Sequence, residues 1–190
     1  MKNQIVQFSS LRLGLRRLFL SFLGFVMGVS MGVPMARAET PVILNSLVTD
    51  EQPALSGNGR FLGFVSNRDG QRQILLYDLQ QRRFVDLPFL NRPNAIAQNP
   101  SLSYSGRYIV YTASDAGEPD IYLYDRKSNR SRKITRRYQG WVRHPSISPE
   151  GRYITFETGR RGQWDLEVID RGPRIELDRI QDNLEMKSVM

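Results

Sequence analysis

Three aspartates recur at a fixed spacing, each 25 residues after a proline, and are the first candidates for a catalytic site: Asp78, Asp125 and Asp170. Carboxylates that met in one place could form a catalytic cluster. Each of the three, however, stands directly after a predicted strand and before a turn, where aspartate bonds its own backbone. Equivalent positions in successive repeats also need not converge. We therefore interpret the three aspartates as structural.

Histidine and cysteine usage limits the remaining chemistry. The chain has no cysteine, which excludes disulfides, thiolate catalysis, cysteine-based metal sites and a lipoprotein anchor. The one histidine, His144, stands where the other repeats have Gln52 and Asn99, so we interpret it as a polar lining residue. The one G-x-S-x-G match, Gly28–Gly32, lies in the uncharged N-terminal run Leu18–Ala36 and not between a strand and a helix, so the sequence gives no support for the nucleophile elbow of a hydrolase. We predict no catalytic residue, no metal and no cofactor, and a metal-dependent lyase stays open.

The basic charge is concentrated at the N-terminus. The chain has 27 Lys and Arg against 19 Asp and Glu, a net charge of +8, which by itself would favour a nucleic-acid partner. Residues 1–38 hold five of the basic residues and no acidic one, which leaves 22 basic against 19 acidic residues. We therefore expect no nucleic-acid partner.

Residues 1–38 have the pattern of a secretory signal peptide. Arg16 and Arg17 precede the uncharged run Leu18–Ala36, and Ala36-Arg37-Ala38 is an A-x-A cleavage signature. We predict cleavage after Ala38 and a periplasmic or secreted protein that meets the membrane only through this segment. The export route, general secretory or twin-arginine, stays open. An uncleaved anchor is the alternative, because the run approaches the length of a membrane span.

Three copies of one sequence unit organise the rest of the chain. Pro53, Pro100 and Pro145 align without gaps, and each is followed at fixed offsets by an identical Ser, Gly, Arg and Asp. The repeated glycines are Gly59, Gly106 and Gly151. A match at this many positions in one frame is not accidental.

Each copy predicts four short strands of β-branched and aromatic residues, separated by turns. In the third copy the fourth strand is predicted over Arg174–Leu177. Four strands in about 45 residues is the length of a β-propeller blade. We predict an all-β partial propeller, or half-ring, of four-stranded antiparallel blades, with no long helix after Ala38. Its segments are 1–38 (signal peptide), 39–51 (N-terminal strand segment), 52–98 (blade 1), 99–143 (blade 2), 144–179 (blade 3) and 180–190 (C-terminal tail).

The repeat resembles the TolB-type β-propeller repeat, most closely at Ser148–Arg152 (SPEGR) and Asp120–Asp125 (DIYLYD). The resemblance covers about residues 52–179, with three repeats and no N-terminal α/β domain. It implies a non-catalytic TolB-like periplasmic protein that binds protein partners in the cell envelope. The associated role would be biopolymer transport or envelope integrity of the Tol–Pal type. Similar repeats occur in prolyl-oligopeptidase-type enzymes and polysaccharide lyases, so a carbohydrate-binding or carbohydrate-cleaving propeller is the alternative.

The connection between blades 2 and 3 is the candidate partner site. It is rich in the residue types that anchor interfaces, namely Arg136, Arg137, Tyr138, Trp141, Arg143 and His144. The alternative is that Trp141 packs between blades. The basic run 126–137 is either an anion-binding patch or a solvated hairpin whose charges protect an edge strand.

Three blades are fewer than the roughly 4–8 of closed propellers. An open arc would leave the outer faces of its first and last blades bare. The candidate face residues are Leu62, Phe64 and Leu76 on blade 1, and Ile154, Phe156 and Val168 on blade 3. We expect a homodimer that completes a six-bladed ring, with an envelope protein as the functional partner. Cover by another propeller protein, or by the tail from Ile180, is the alternative.

Overall fold

The computed structural model describes residues 44, 46–114 and 117–178, which form β-strands joined by turns and loops. The predicted signal peptide, with Ala36 and Ala38, and the tail 180–190 lie outside the described residues. The strands are β1 (Asp50–Leu55), β2 (Phe61–Ser66), β3 (Gln73–Asp78), β4 (Arg83–Val85), β5 (Ile96–Leu102), β6 (Tyr108–Ser114), β7 (Asp120–Asp125), β8 (Arg130–Lys133), β9 (Val142–Ile147), β10 (Tyr153–Thr158) and β11 (Asp165–Asp170).

These strands form three antiparallel sheets, one for each repeat. Blade 1 has the order β1-β2-β3-β4, blade 2 has β5-β6-β7-β8, and blade 3 has β9-β10-β11. Neighbouring strands in each sheet are consecutive in the chain, as in a β-propeller blade. The predicted all-β fold of blade-like antiparallel sheets is therefore confirmed.

The repeated serine and glycine shape the turn after each inner strand. In blade 1 the hydroxyl of Ser56 accepts a hydrogen bond from the backbone N–H of Phe61 at 2.9 Å, and blades 2 and 3 repeat this bond. Gly151 shows why glycine ends the turn: its φ is +82°, and a Cβ there would lie 2.5 Å from the ring of Tyr108 in blade 2. The turn thus lets neighbouring blades approach closely.

The repeated arginine and aspartate form one ion pair within each blade. Arg60 contacts Asp78 at 2.7 Å, and the same pairing joins Arg107 to Asp125 and Arg152 to Asp170. A carboxylate oxygen of Asp78 also accepts the backbone N–H groups of Gln80 and Gln81, both at 2.9 Å. The hydrogen bond from Arg60 is the main cause that lowers the pKa of Asp78. These aspartates therefore fix the turn and the neighbouring strand.

A β-bulge interrupts each inner strand just before the repeat proline. Gln52, Asn99 and His144 have φ values of 54°, 53° and 48°, and the strand register shifts next to each of them. The bulge turns the Asn99 backbone N–H toward blade 1, where it donates to Oε1 of Gln52 at 2.7 Å. His144 thus occupies a bulge position that elsewhere connects two blades.

The hydrophobic core lies between successive blades. Blades 1 and 2 enclose a cluster that includes Leu76, Ile109 and Tyr111, and blade 3 packs on blade 2 through Ile154 and Phe156, all at most 1% exposed. The assignment of Leu76, Ile154 and Phe156 to bare outer faces was therefore wrong. Strand alternation gives the period of a face but not which face meets the neighbouring blade.

Three of the six residues predicted for the outer faces of blades 1 and 3 do lie there. Val168 is 61% exposed on the free side of blade 3. Leu62 and Phe64 lie on the free side of blade 1, opposite Tyr77 and Leu75 across the β2–β3 pair. Phe64 is nevertheless shielded by Phe84, whose ring lies 6.4 Å away.

The chain after β11 leaves the sheet, so the fourth strand predicted over Arg174–Leu177 was wrong. Within the described residues, blade 3 has three strands. The segment instead crosses to blade 2, where the Asp178 carboxylate accepts hydrogen bonds from Ser103 Oγ at 2.6 Å and from Ser105 N at 2.7 Å. In the register of blades 1 and 2, Asp178 would lie opposite Glu167. That like-charge pair disfavours a fourth strand here.

Candidate functional site

An exposed group of aromatic and charged residues lies on the free side of blade 3. We call it the tryptophan patch: Trp141, Arg143, His144, Glu157 and Trp164. Val142 is buried against blade 2, so the residues on either side of it point away from the core. Trp141 is 58% exposed rather than enclosed between blades, and Trp164 is 47% exposed.

Arg143 connects the members of the tryptophan patch. Its guanidinium lies over the Trp164 ring, 3.7 Å from the ring centre, and its Nε contacts Glu157 Oε2 at 2.6 Å. Nδ1 of His144 lies 3.2 Å from the other Glu157 oxygen. The hydrogen bond from Arg143, followed by that from His144, lowers the pKa of Glu157. Glu157 therefore stays ionised and holds the two basic side chains in place.

An indole ring stacked on an oriented guanidinium, with a second exposed tryptophan nearby, forms a surface suited to binding. Tryptophan and arginine carry much of the energy in protein interfaces. Trp164 and Glu157 were missed by the sequence analysis, which considered only the connection before β9. The available signal was that Trp164 is the second of two tryptophans in the chain. Its position beside Arg143 depends on the pairing of β9 with β10, which sequence spacing alone did not give.

The other predicted site residues face a different surface. Arg136, Arg137 and Tyr138 lie along a groove of about 560 Å³ between blades 2 and 3, which we call the basic groove. The Tyr138 ring packs edge-on against Phe156, with 5.2 Å between ring centres, so it forms part of the groove wall. The structure thus divides the six predicted site residues equally between the basic groove and the tryptophan patch.

The basic groove has cations from two blades above an apolar floor. Its remaining lining residues are Arg132, Lys133, Ile134, Ile169 and Arg171. Arg171 lies over the Tyr108 ring at 4.4 Å, and burial, together with the nearby charge of Arg132, lowers its pKa. The arrangement can attract an anionic group through several guanidinium groups at once.

The basic run 126–137 does not act as one patch. Arg126 stacks on Phe61 of blade 1, 4.3 Å from its ring centre, and belongs to the contact between blades 1 and 2. Lys127 pairs with Glu176 at 2.6 Å, and Lys133 pairs with Asp120. The basic residues of the run that line the basic groove are the later ones, Arg132, Lys133, Arg136 and Arg137.

The structure does not bring the three repeated aspartates together. In the part of the chain that the structure describes, no three His, Asp or Glu side chains lie close enough to hold a metal ion. The same residues include no helix with the length and apolar character of a membrane span.

No known protein-family profile matches the chain, and no curated protein matches its sequence. Solved structures do match its fold. TolB from Acinetobacter baumannii aligns with a TM-score of 0.59 and 23% identity, over 68% of this chain and 31% of that one. A putative TolB from Agrobacterium tumefaciens aligns with a TM-score of 0.54 and 19% identity, over 71% of this chain and 50% of that one.

An enzyme structure shares the same architecture. A puromycin-hydrolysing peptidase from Mycobacterium tuberculosis aligns with a TM-score of 0.50 and 14% identity, over 65% of this chain and 19% of that one. The chain therefore spans half or less of the length of the proteins it matches. At these identities the likeness concerns fold alone, and the described part of the chain has a TolB-like propeller fold of three blades.

Proposed function

We propose that this chain is an exported, non-catalytic TolB-like propeller protein that binds a protein partner in the cell envelope through the tryptophan patch. The observation that carries the proposal is the exposed Trp164 ring stacked on the Arg143 guanidinium, with a second exposed tryptophan, Trp141, nearby. Export rests on the signal-peptide pattern of residues 1–38. The TolB-like repeat is the reason for placing the protein in the envelope, with a Tol–Pal-like role in transport or envelope integrity.

The tryptophan patch is preorganised for binding. Glu157 and Trp164 already restrict the Arg143 side chain, so less conformational entropy remains to be lost when a partner binds. The rings supply apolar area beside a charge, which is typical of the central residues of an interface. Removing either ring should weaken partner binding without opening the core, since both are about half exposed.

The test is capture of envelope proteins on immobilised protein, comparing wild type with Trp141→Ala and Trp164→Ala. Phe89→Ala is the matched control, because Phe89 is a 76% exposed aromatic residue on blade 1. We expect one protein to be retained by wild type and by the control, and lost from both tryptophan variants. Equal retention by all four proteins would refute the assignment of the tryptophan patch.

Export is tested separately by N-terminal sequencing of protein recovered outside the cytoplasm. Cleavage after Ala38 would leave Glu39 as the first residue. Recovery of residues 1–38 on the exported protein would contradict the signal-peptide assignment.

The basic groove favours a second candidate, the binding of an acidic carbohydrate. Arg132, Arg136, Arg137 and Arg171 converge from two blades on one open groove with a tyrosine in its wall. The test is retention on an immobilised polyuronate, comparing wild type with Arg136→Gln and Arg137→Gln. Arg83→Gln, an exposed arginine on β4, is the control. If the groove binds an acidic carbohydrate, wild type and the Arg83→Gln control are retained on the column and both groove variants are not.

A further inference from the structure

Each blade has two faces with different partners. We call the face that meets the next blade in the chain the leading face, and the one that meets the previous blade the trailing face. The leading faces of blades 1 and 2 are buried, and so are the trailing faces of blades 2 and 3. Within the described ranges, the trailing face of blade 1 and the leading face of blade 3 have no blade against them.

The free leading face of blade 3 retains large side chains at the positions used for blade packing. Its residues Tyr153, Leu166 and Val168 are 41%, 81% and 61% exposed. The equivalent residues of blade 2 pack against blade 3 and are 2%, 0% and 4% exposed; they are Tyr108, Ile121 and Leu123. Blade 3 thus presents side chains that the preceding blade buries.

The free trailing face of blade 1 matches the corresponding face of blade 2. Its residues Leu62, Phe64, Leu75 and Tyr77 occupy the positions at which blade 2 packs against blade 1. Phe64 and Tyr77 are 5% and 8% exposed beside Phe84, so the half-buried Leu62 and Leu75 are the residues available for a further contact. The blade 2 residues at the four equivalent positions are Ile109, Tyr111, Tyr122 and Tyr124, which are all 8% exposed or less. The three described blades therefore present a leading face on one side and a trailing face on the other.

We infer that two copies of this chain close into a ring, with blade 3 of each packed on blade 1 of the other. A second copy supplies both missing faces at once, whereas any other single partner would have to provide two different blade surfaces. Two copies give six blades, within the roughly 4–8 blades of closed propellers, and three copies would give nine. Both contacts are equivalent under a two-fold axis, so the assembly closes.

The polar groups at the free faces are compatible with this contact. On the leading face of blade 3, Glu157 stands at the position that Val65 has in blade 1 and Thr112 has in blade 2. Its carboxylate is already paired with Arg143, with 2.6 Å between Oε2 and Nε. The bond from Asn99 N to Gln52 Oε1 connects bulges in blades 1 and 2, and the same geometry would bring the His144 ring of one copy to the Gln52 backbone N–H of the other.

Ring closure also leaves the tryptophan patch partly open. Ile96 of blade 2 occupies the position equivalent to Trp141, and it remains 51% exposed although blade 3 packs on its blade. Trp141 would therefore stay accessible in the ring. Glu157 lies on the face that the ring would cover, because its equivalent in blade 2, Thr112, is 0% exposed, so partner binding to the ring would rest on Trp141. Sedimentation measures self-association and capture measures partner binding, so the failure of one is distinguishable from the failure of the other.

The test is sedimentation equilibrium of protein expressed from the 190-residue sequence. We expect wild type to be a dimer, and both Val168→Glu and Leu62→Arg to raise the dimer dissociation constant by on the order of 100-fold or more, because each damages both contacts of the ring. Phe89→Glu places a charge on an exposed aromatic residue away from the two faces, and should remain dimeric.

Mixing the two weakened variants gives the sharper test. A mixed ring has one wild-type contact and one contact in which the introduced carboxylate of one copy would face the introduced guanidinium of the other, so the mixture should recover a dimer. Far-UV circular dichroism verifies folding of each variant, and Leu166→Glu at an 81% exposed position replaces Val168→Glu if that variant is unfolded. A monomeric wild type, an open polymer, or two folded variants that stay monomeric on mixing would overturn the ring.

Discussion

Replacing Asp178 should destabilise the protein more than any other single change in the segment after β11. The Asp178 side chain is only 5% exposed. Its carboxylate accepts hydrogen bonds from Ser103 Oγ, Ser105 N and Ser105 Oγ, and its own N–H donates to Glu150 O at 2.9 Å. One residue thus connects the turns of blades 2 and 3.

The expected loss follows from these contacts. A hydrogen bond to a charged group contributes about 1.5–3 kcal/mol, and buried donors left without a partner add to the cost of truncation. Water that enters the turn of the variant replaces some of the lost hydrogen bonds and so recovers part of this free energy. We therefore expect Asp178→Ala to lower the free energy of unfolding by about 3 kcal/mol. Glu176→Ala is the control, because the Glu176 side chain two residues earlier is 57% exposed, and its ion pairs with Arg107 and Lys127 should contribute less than the buried contacts of Asp178.

Urea unfolding at fixed protein concentration measures both variants, since any self-association makes apparent stability depend on concentration. Tryptophan fluorescence reports on blade 3, which contains both tryptophans, and far-UV circular dichroism reports on all the strands. In Asp178→Ala we expect the fluorescence transition to occur at lower urea than the dichroism transition. A loss below about 1 kcal/mol, or an equal loss in Glu176→Ala, would refute the anchoring role of Asp178.

Two further predictions concern the repeat itself. Gly151→Ala should cost more stability in urea than Gly162→Ala: both have φ near +80°, which alone costs an L-residue about 1–2 kcal/mol, but only the first also drives a Cβ into Tyr108. The hydrogen bond from Arg152 lowers the pKa of Asp170 from its usual 3.8 to about 2. Stability from this pair is therefore present above about pH 4 and lost as pH falls toward 2, and unfolding at pH 2–5 should show a smaller pH dependence in Asp170→Asn than in wild type.

The fold could be predicted from the sequence because one gap-free repeat encodes one structural unit. The serine, glycine, arginine and aspartate recur together because they shape two linked turns of each blade. In blade 1 Ser56 bonds the backbone of the β1–β2 turn, and Arg60 from that turn pairs with Asp78, which bonds the backbone of the β3–β4 turn. Local chemistry of this kind is visible in three copies of a short pattern. The pattern does not show which side of each strand meets the neighbouring blade, so the assignment of Ile154 and Phe156 to an outer face was wrong.

The candidate site was only partly predictable, because it depends on contacts between strands. Arg136 and Trp141 are five residues apart in one connection, yet they face the basic groove and the tryptophan patch respectively. Trp164 lies 23 residues beyond Trp141 and joins it across the sheet. Composition identified the binding residue types, but the division into two surfaces required the fold.

The path of the chain after β11 reflects a difference among the repeats that the sequence contains. In blade 1 the side chain of Asn58 accepts the hydroxyl hydrogen of Ser56 at 2.8 Å. Blade 2 has Ser105 at the equivalent position, which leaves the hydroxyl of Ser103 without that acceptor, and Asp178 supplies it from outside the blade. A segment predicted as a strand from local propensity is thus recruited by a turn 75 residues earlier, because a buried polar group must be satisfied. Within the described residues, β11 is therefore the outer strand of blade 3, and Ile169 and Arg171 line the basic groove.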